Sequence, residues 1–493
     1  MLRLFFALLF HYLLVVKLVL SNRSRPNIVL IIADDLGWAD VGFTNKYGQS
    51  VVVPDTPQLN LLAHNSIILD NFYTQTLCTP TRSSVYTGRY PHRLGWLFAA
   101  SFVLSYHDHL KQPYTTFTEI LAEKYEYAVH GVGKWHLGLR RPHLPMDRGF
   151  KTYYGCYSGA IDHLTHKAGA LNDNGLIDEI DDFHEDDLKS SLDISSYVEG
   201  KHSTDLFTQR AVKVIDSHDN KNPMFLVVSY TAPHSPRKPS EEIVRNRNQH
   251  ITDQETREYA AMVTQLDDGV GAISDALSRN NMWNNTVFLF MSDHGASVIP
   301  NSCMDTVGGS NFPFRDGKGS YFEGGIKGAA FVSTPWLSAE QRGMRSPALL
   351  HAVDVYSFII AAAEDKLSGS LSASFTKTNE NSHTIDRNID SGNYIIDVLH
   401  NDHTGRLHRH DAQTAPLLDN EASFSQSVYG TNSNTVALDY NETLERTRRV
   451  YQPTPFTQAR NMENTEPPPR YDDLYGSQVQ PYNNIPSFLL DGG

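Results

Sequence analysis

Five short segments of the 493-residue chain carry side chains that could act together. "NIVLIIADDLG" ends in Asp34 and Asp35, "CTPTR" contains Cys78 and Arg82, and "GKWH" contains Lys134 and His136. "YTAPH" ends in His234, and "FLFMSDHG" contains Asp293 and His294. Three carboxylates from two segments can hold a hard divalent cation. Lys134, Arg82, His136 and His234, with Lys318 of the later "GKGSYFEGG", can surround an anion. Taken singly, each group has a plainer explanation. An Asp after a strand is often a turn former or helix cap, and a lone His is more often a structural hydrogen-bonding residue than a ligand.

Cys78 is one of three cysteines, with Cys156 and Cys303, so at least one stays unpaired if the chain enters an oxidising compartment. A buried free thiol behaves as a small hydrophobe. The neighbours of Cys78 are Thr, Pro, Thr and Arg, which suit that role poorly.

The elements that must position these groups are legible as apolar runs. Ile28–Ala33, the stretch through Val129 and Val132, "MFLVVS" and "TVFLFMS" read as short, fully buried strands, each ending where the titratable residues begin. Ser203 to Ser217 and Gln254 to Ser278 carry apolar residues at helical spacing. Strand–helix–strand repetition predicts an α/β fold, a doubly wound, mostly parallel sheet with helices on both faces. Such sheets bind ligands beyond the carboxyl ends of their strands, where these residues lie.

Forty-two Lys and Arg against 56 Asp and Glu give a net charge of −14, which argues against a nucleic-acid partner but not against a local anion pocket. Most of the 22 histidines would be charged near pH 5, moving that balance towards zero. Residues 1–21 combine Arg3 with an apolar run ending at Ser21, the pattern of a secretory signal. An uncleaved anchor is the alternative; His11 and Lys17 interrupt the run and argue against a stable span. No later stretch is long and apolar enough to cross a bilayer, so the expected location is the secretory pathway, lysosomal or secreted. Sequons at Asn284 and Asn441 fit that route.

With these residues placed, residues 26 to 365 resemble the type I sulfatases, a branch of the alkaline phosphatase superfamily. "CTPTR" is similar to the signal C-x-P-S/A-R, in which a formylglycine-generating enzyme oxidises the cysteine to formylglycine (3-oxoalanine). "TGR" at 87–89 matches the second half of that signature, and "ADDLGW", "GKWHLG", "APH", "SDHG" and "GKGSYFEGG" follow in family order. The resemblance implies hydrolysis of a sulfate ester, with a sulfated sugar or glycosaminoglycan as substrate, and one Ca2+ per chain. One hydroxyl of the hydrated aldehyde would attack sulfur as the alcohol leaves, and the other would expel sulfate by restoring the aldehyde. By the same resemblance Asp34, Asp35, Cys78, Asp293 and His294 would surround the metal. Arg82 would hold the formylglycine hydroxyl, and Lys134 and His136 would bind sulfate and assist the elimination. His234 and Lys318 would bind the ester and protonate the leaving oxygen. His294 stands where many sulfatases have Asn, and Thr81 where Ser or Ala is usual.

"STDLFTQRAVKVID" and "MWNNTVFLFMSDHG" look most like the arylsulfatase B (N-acetylgalactosamine-4-sulfatase) group, although "RLGWLFA" at 93–99, with Trp96 and Phe98, departs from that group's "RTGLQH". Two rival readings keep the fold: an inactive sulfatase-like binding protein, and a phosphoesterase of the same superfamily. Residues 25–365 are expected to form the catalytic domain, 366–405 a reduced or diverged remnant of a smaller C-terminal subdomain, and 406–493 a low-complexity tail. Within the tail, Pro468-Pro469-Arg470-Tyr471 resembles the Pro-Pro-x-Tyr elements that WW domains bind.

Overall fold

A computed structural model of the chain describes residues 25–45, 53–95, 109–171, 177–187, 191–298 and 308–364. The signal pattern, Trp96, Phe98, Cys303, the subdomain remnant and the tail lie outside the described residues.

A ten-stranded sheet organises the molecule, in the order β12-β2-β11-β10-β1-β9-β3-β4-β7-β8. The four expected strands form its centre: β1 (Asn27–Ala33), β3 (Ala128–Lys134), β9 (Met224–Ser229) and β10 (Thr286–Ser292). They run parallel, with β4 (Thr152–Cys156) beside β3. β2 (Ile67–Tyr73) and β12 (Arg345–His351) are a further parallel pair. β11 (Ala330–Ser333), β7 (His184–Asp187) and β8 (Ser191–Asp193) join antiparallel, so the sheet is mixed at its flanks. β5 (Lys167–Leu171) and β6 (Ile177–Asp181) form a separate hairpin.

Alternation along the central strands builds two cores. Val29, Ile31, Leu226, Val228, Phe288 and Phe290 face one layer, and Ile28, Leu30, Ile32, Phe225, Val227 and Leu289 face the other. Successive side chains of a strand point to opposite faces, so a strand covered on both sides must be apolar throughout. The first layer holds the Ser203–Asp216 and Gln254–Arg279 helices, matching the expected helical spans to within a residue. The second holds the helices Cys78–Thr87, Phe117–Glu123 and Asp354–Ala363. No helix among the described residues is long and apolar enough to cross a membrane.

Candidate active site

The Cys78–Thr87 helix starts where its sequence requires. Pro80 sits in the first turn, whose N–H groups have no intrahelical acceptor, and Gly88 closes the helix in the left-handed region at φ 65°. Arg82 follows Cys78 by one turn and so shares its face. Both are buried, at 2% and 1% exposure. The hydroxyl of Thr81 is used locally, accepting from Gln75 N–H at 3.1 Å and lying 3.3 Å from Gln75 C=O.

The strand ends bring the other groups to this helix. Asp34 and Asp35 follow β1, and Asp35 adopts a left-handed φ of 64°. Its N–H donates to Asp293 Oδ1 at 3.2 Å, joining the ends of β1 and β10. Lys134 ends β3, and its ammonium lies 2.5 Å from Asp34 Oδ2. Gly133, before it, is required: at φ +101° a Cβ would stand 1.9 Å from Ser229 C=O. Gly295, after His294, has the same constraint, with Gly324 C=O 1.7 Å from any Cβ. That close approach seats the loop carrying Lys318, whose ammonium donates to both Asp35 oxygens at 2.7 and 2.8 Å.

The thiol stands among metal-type donors. Cys78 Sγ is 3.1 Å from His294 Nε2 and 3.5 Å from Asp34 Oδ1. Ligand atoms of Asp34, Asp35, Cys78 and His294, all buried, lie within 4.8 Å of one another. His294 Nδ1 donates to Gly295 C=O at 2.9 Å, which leaves Nε2 to face the group, 3.3 Å from Asp35 Oδ1. This donor set fits a divalent cation: carboxylate oxygens predominate, and the free imidazole nitrogen points inward. Asp293 lies at the edge, with Oδ1 3.5 Å from His294 Nε2 and Oδ2 accepting from Arg82 at 3.0 Å.

The remaining groups ring the same space. Arg82 also bonds the Ser229 hydroxyl and lies 3.6 Å from Asp34. His136, left-handed at φ 60°, places Nε2 3.3 Å from the Thr79 hydroxyl. His234 Nδ1 donates to Ser235 C=O at 2.7 Å, and its Nε2 lies 3.8 Å from Asp35. All ten residues proposed from sequence therefore converge on one buried region. Ser229 and Thr79 were missed, although both have a signal: Ser229 ends a central strand, and Thr79 lies inside "CTPTR".

Charge decides the protonation states. Burial would raise Asp34, but Lys134, Arg82, His234 and Lys318 outweigh it and hold the carboxyl well below the usual range. Burial likewise works against Asp35, yet His234, Lys318 and His294 bring it down to about 2. For Asp293 burial prevails and its pKa rises. Burial opposes charge on His294, but Asp293, Cys78 and Asp35 push it up to about 9. Burial pushes His136 well down and His234 to about 4, so both rings are neutral. Three carboxylates face Arg82, Lys134 and Lys318, so a bound divalent cation would give the site a positive excess suited to an anionic ester.

The Sulfatase family model matches residues 26–365. The chain belongs to the sulfatase family. The chain is 35% identical over 350 residues to arylsulfatase J of Mus musculus, covering 70% of this chain and 54% of that protein. To N-acetylgalactosamine-6-sulfatase of Homo sapiens it is 29% identical over 355 residues, covering 69% and 62%. It thus spans less than two thirds of the length of these relatives. Among solved structures, that of Ps i-CgsB matches with a TM-score of 0.58 at 30% identity, over 69% of this chain and 72% of that one. The same protein has been solved in complex with k-i-k-neocarrahexaose. The sheet found here is thus that of the alkaline phosphatase and sulfatase fold.

Proposed function

We propose that the chain hydrolyses a sulfate ester, using Cys78 in its formylglycine form and a bound Ca2+. The single observation that carries this reading is the placement of Cys78: buried on the first turn of its helix, 3.1 Å from His294 and 3.5 Å from Asp34, inside a donor set that fits a metal. Such a position suits an oxygen nucleophile made from the cysteine better than a packing thiol. When bound, the cation supplies Lewis-acid polarisation of the ester and lowers the pKa of the nucleophilic hydroxyl.

The chain's own residues do the rest. Asp34, Asp35, Asp293 and His294 would hold the cation, with His294 as a neutral imidazole, the form in which it can ligate. Arg82 is braced by Asp293 and Ser229, which fixes its guanidinium beside position 78. Lys134, paired with Asp34, balances sulfate. His136, neutral and one hydrogen bond from Thr79, is placed to take a proton when sulfate is expelled. Lys318 retains its proton against Asp35. An ester anion arriving beside His234 raises the pKa of that ring, so His234 gains an Nε2 proton with the substrate and passes it to the leaving oxygen.

Relatives named for N-acetylgalactosamine sulfate, and a neighbour solved with an oligosaccharide, support a sulfated sugar or glycosaminoglycan as substrate. The arylsulfatase B grouping belongs to the same proposal. So do maturation by a formylglycine-generating enzyme, a lysosomal or secreted destination, and the division of the chain at residues 365 and 405. Turnover of 4-nitrocatechol sulfate, with 4-nitrophenyl phosphate as comparison, tests the reading. Hydrolysis of the sulfate but not the phosphate supports it. The reverse preference would make the chain a phosphoesterase, and no turnover of either would leave the binding-protein alternative.

A further inference from the structure

His163 is completely buried and lies outside the set of catalytic groups, yet its ring is engaged on both sides. Nε2 lies 2.9 Å from the backbone carbonyl of His234, and Nδ1 lies 2.7 Å from the Ser203 hydroxyl and 3.5 Å from that of Thr231. A carbonyl can only accept, so Nε2 carries the proton and Nδ1 accepts from Ser203. The backbone is tied to the same partner: Ser203 N–H donates to His163 C=O at 2.9 Å. His202 stacks on the ring with centroids 5.0 Å apart and planes within 7°. The chain at 231–234 is itself a turn, with His234 N–H donating to Thr231 C=O at 2.9 Å. His163 therefore meets that turn at both ends and is itself held by Ser203, the first residue of the Ser203–Asp216 helix.

We infer that His163 is a positioning residue that fixes the backbone of His234, and so aims His234 Nε2 at the leaving oxygen of the ester. The inference rests on the sulfatase reading given above. His234 Nδ1 is already committed to Ser235 C=O, so the direction of Nε2 is set by the peptide groups on either side of residue 234. A carbonyl left without its donor in this buried turn would rotate to find another, and the ring would turn with it. Misplacement of about 1 Å is enough to cost catalysis.

The test uses the mature, metal-loaded enzyme and a series of phenyl sulfates, from 4-nitrophenyl to unsubstituted phenyl. His163→Phe keeps a ring and removes both hydrogen bonds, whereas His163→Gln keeps a donor that reaches His234 C=O. The expected loss in kcat/KM for His163→Phe is about 10- to 100-fold on phenyl sulfate and smaller on 4-nitrophenyl sulfate, whose phenolate leaves without a proton. His163→Gln restores the phenyl sulfate rate to within about five-fold of the parent, while calcium content and aldehyde occupancy stay unchanged in both variants. If His163→Phe fails to fold, His163→Asn, whose amide is too short to reach His234, is compared with His163→Gln in the same series. Equal losses on all esters, or no loss, would overturn the inference. A parent enzyme inactive on every ester would instead overturn the sulfatase reading.

Discussion

Replacing Lys318 by Met should unbalance the centre of the site in a way that a bound cation partly repairs. Lys318 and Asp35 are both 0% exposed, and the ammonium contacts both carboxylate oxygens at 2.7 and 2.8 Å. Methionine fills nearly the same volume but leaves Asp35 a buried charge facing fewer cations. Removing one partner of such a pair costs about 3–5 kcal/mol. At about 2.1 cal/mol/K per residue over the roughly 340 residues of the matched domain, each kcal/mol moves the midpoint by about 1.4 °C, so the variant should melt roughly 5 °C below the parent in EDTA. A divalent cation bound at Asp34, Asp35, Cys78 and His294 would neutralise Asp35 from its other side. The gap should then shrink to less than half in excess calcium. Differential scanning calorimetry of both proteins, in EDTA and in calcium, reads this directly. Equal melting temperatures in EDTA would show that Lys318 does not neutralise Asp35. An identical gap with and without calcium would show that the cation does not engage Asp35. Turnover should fall by at least about 100-fold if the same ammonium faces the ester as proposed.

Three further outcomes follow from the site and its supports. Cys78→Ala should abolish sulfate ester turnover while moving stability by only about 1 kcal/mol, since one small side chain is lost; calorimetry and an aryl sulfate assay check both. Asp293→Ala should weaken calcium binding and activity together, because Asp293 accepts from both Arg82 and Asp35 N–H; a variant that kept both would remove Asp293 from the site. His184→Gln should lose stability in a defined pH window. His184 Nε2 lies 3.1 Å from Asp182. Burial opposes charge on both, yet the pairing raises His184 above its ordinary 6.5 and lowers Asp182 below 3.8. The contribution of Asp182 is present above pH 3.8 and lost on acidification below it. That of His184 is present below pH 6.5 and lost as pH rises through its elevated folded value. Unfolding in urea between pH 4 and 8 should therefore show the variant weakest relative to the parent between these limits.

The sheet centre was legible because its strands are buried on both faces, which leaves near-continuous apolar runs such as Ile28–Ala33. The flanks were not. β7 is "HEDD" and β8, the edge strand beside it, is "SLD", short polar strands whose pairing comes from the backbone rather than from side-chain pattern. β2 and β12 carry Asp70, Asn71 and Arg345, and an ion pair between Arg345 and Asp70 holds them where periodicity is silent. The site was legible for a different reason: strand ends deliver Asp34, Asp35, Lys134 and Asp293, so position along the chain predicts position in space. His163 shows the limit. It sits in the irregular stretch before β5, and nothing in "IDHLTH" signals that its ring reaches residue 234. Long-range side chain to backbone bonds of this kind leave no periodic trace.

Everything proposed for the site depends on Cys78 being converted to formylglycine. Mass spectrometry of the tryptic peptide from Tyr47 to Arg82, from protein made in a secretory cell line, tests it most directly. The aldehyde mass is expected at position 78, despite Thr81 in the signal, in a preparation that hydrolyses an aryl sulfate. An intact thiol in a preparation with the same activity would contradict it.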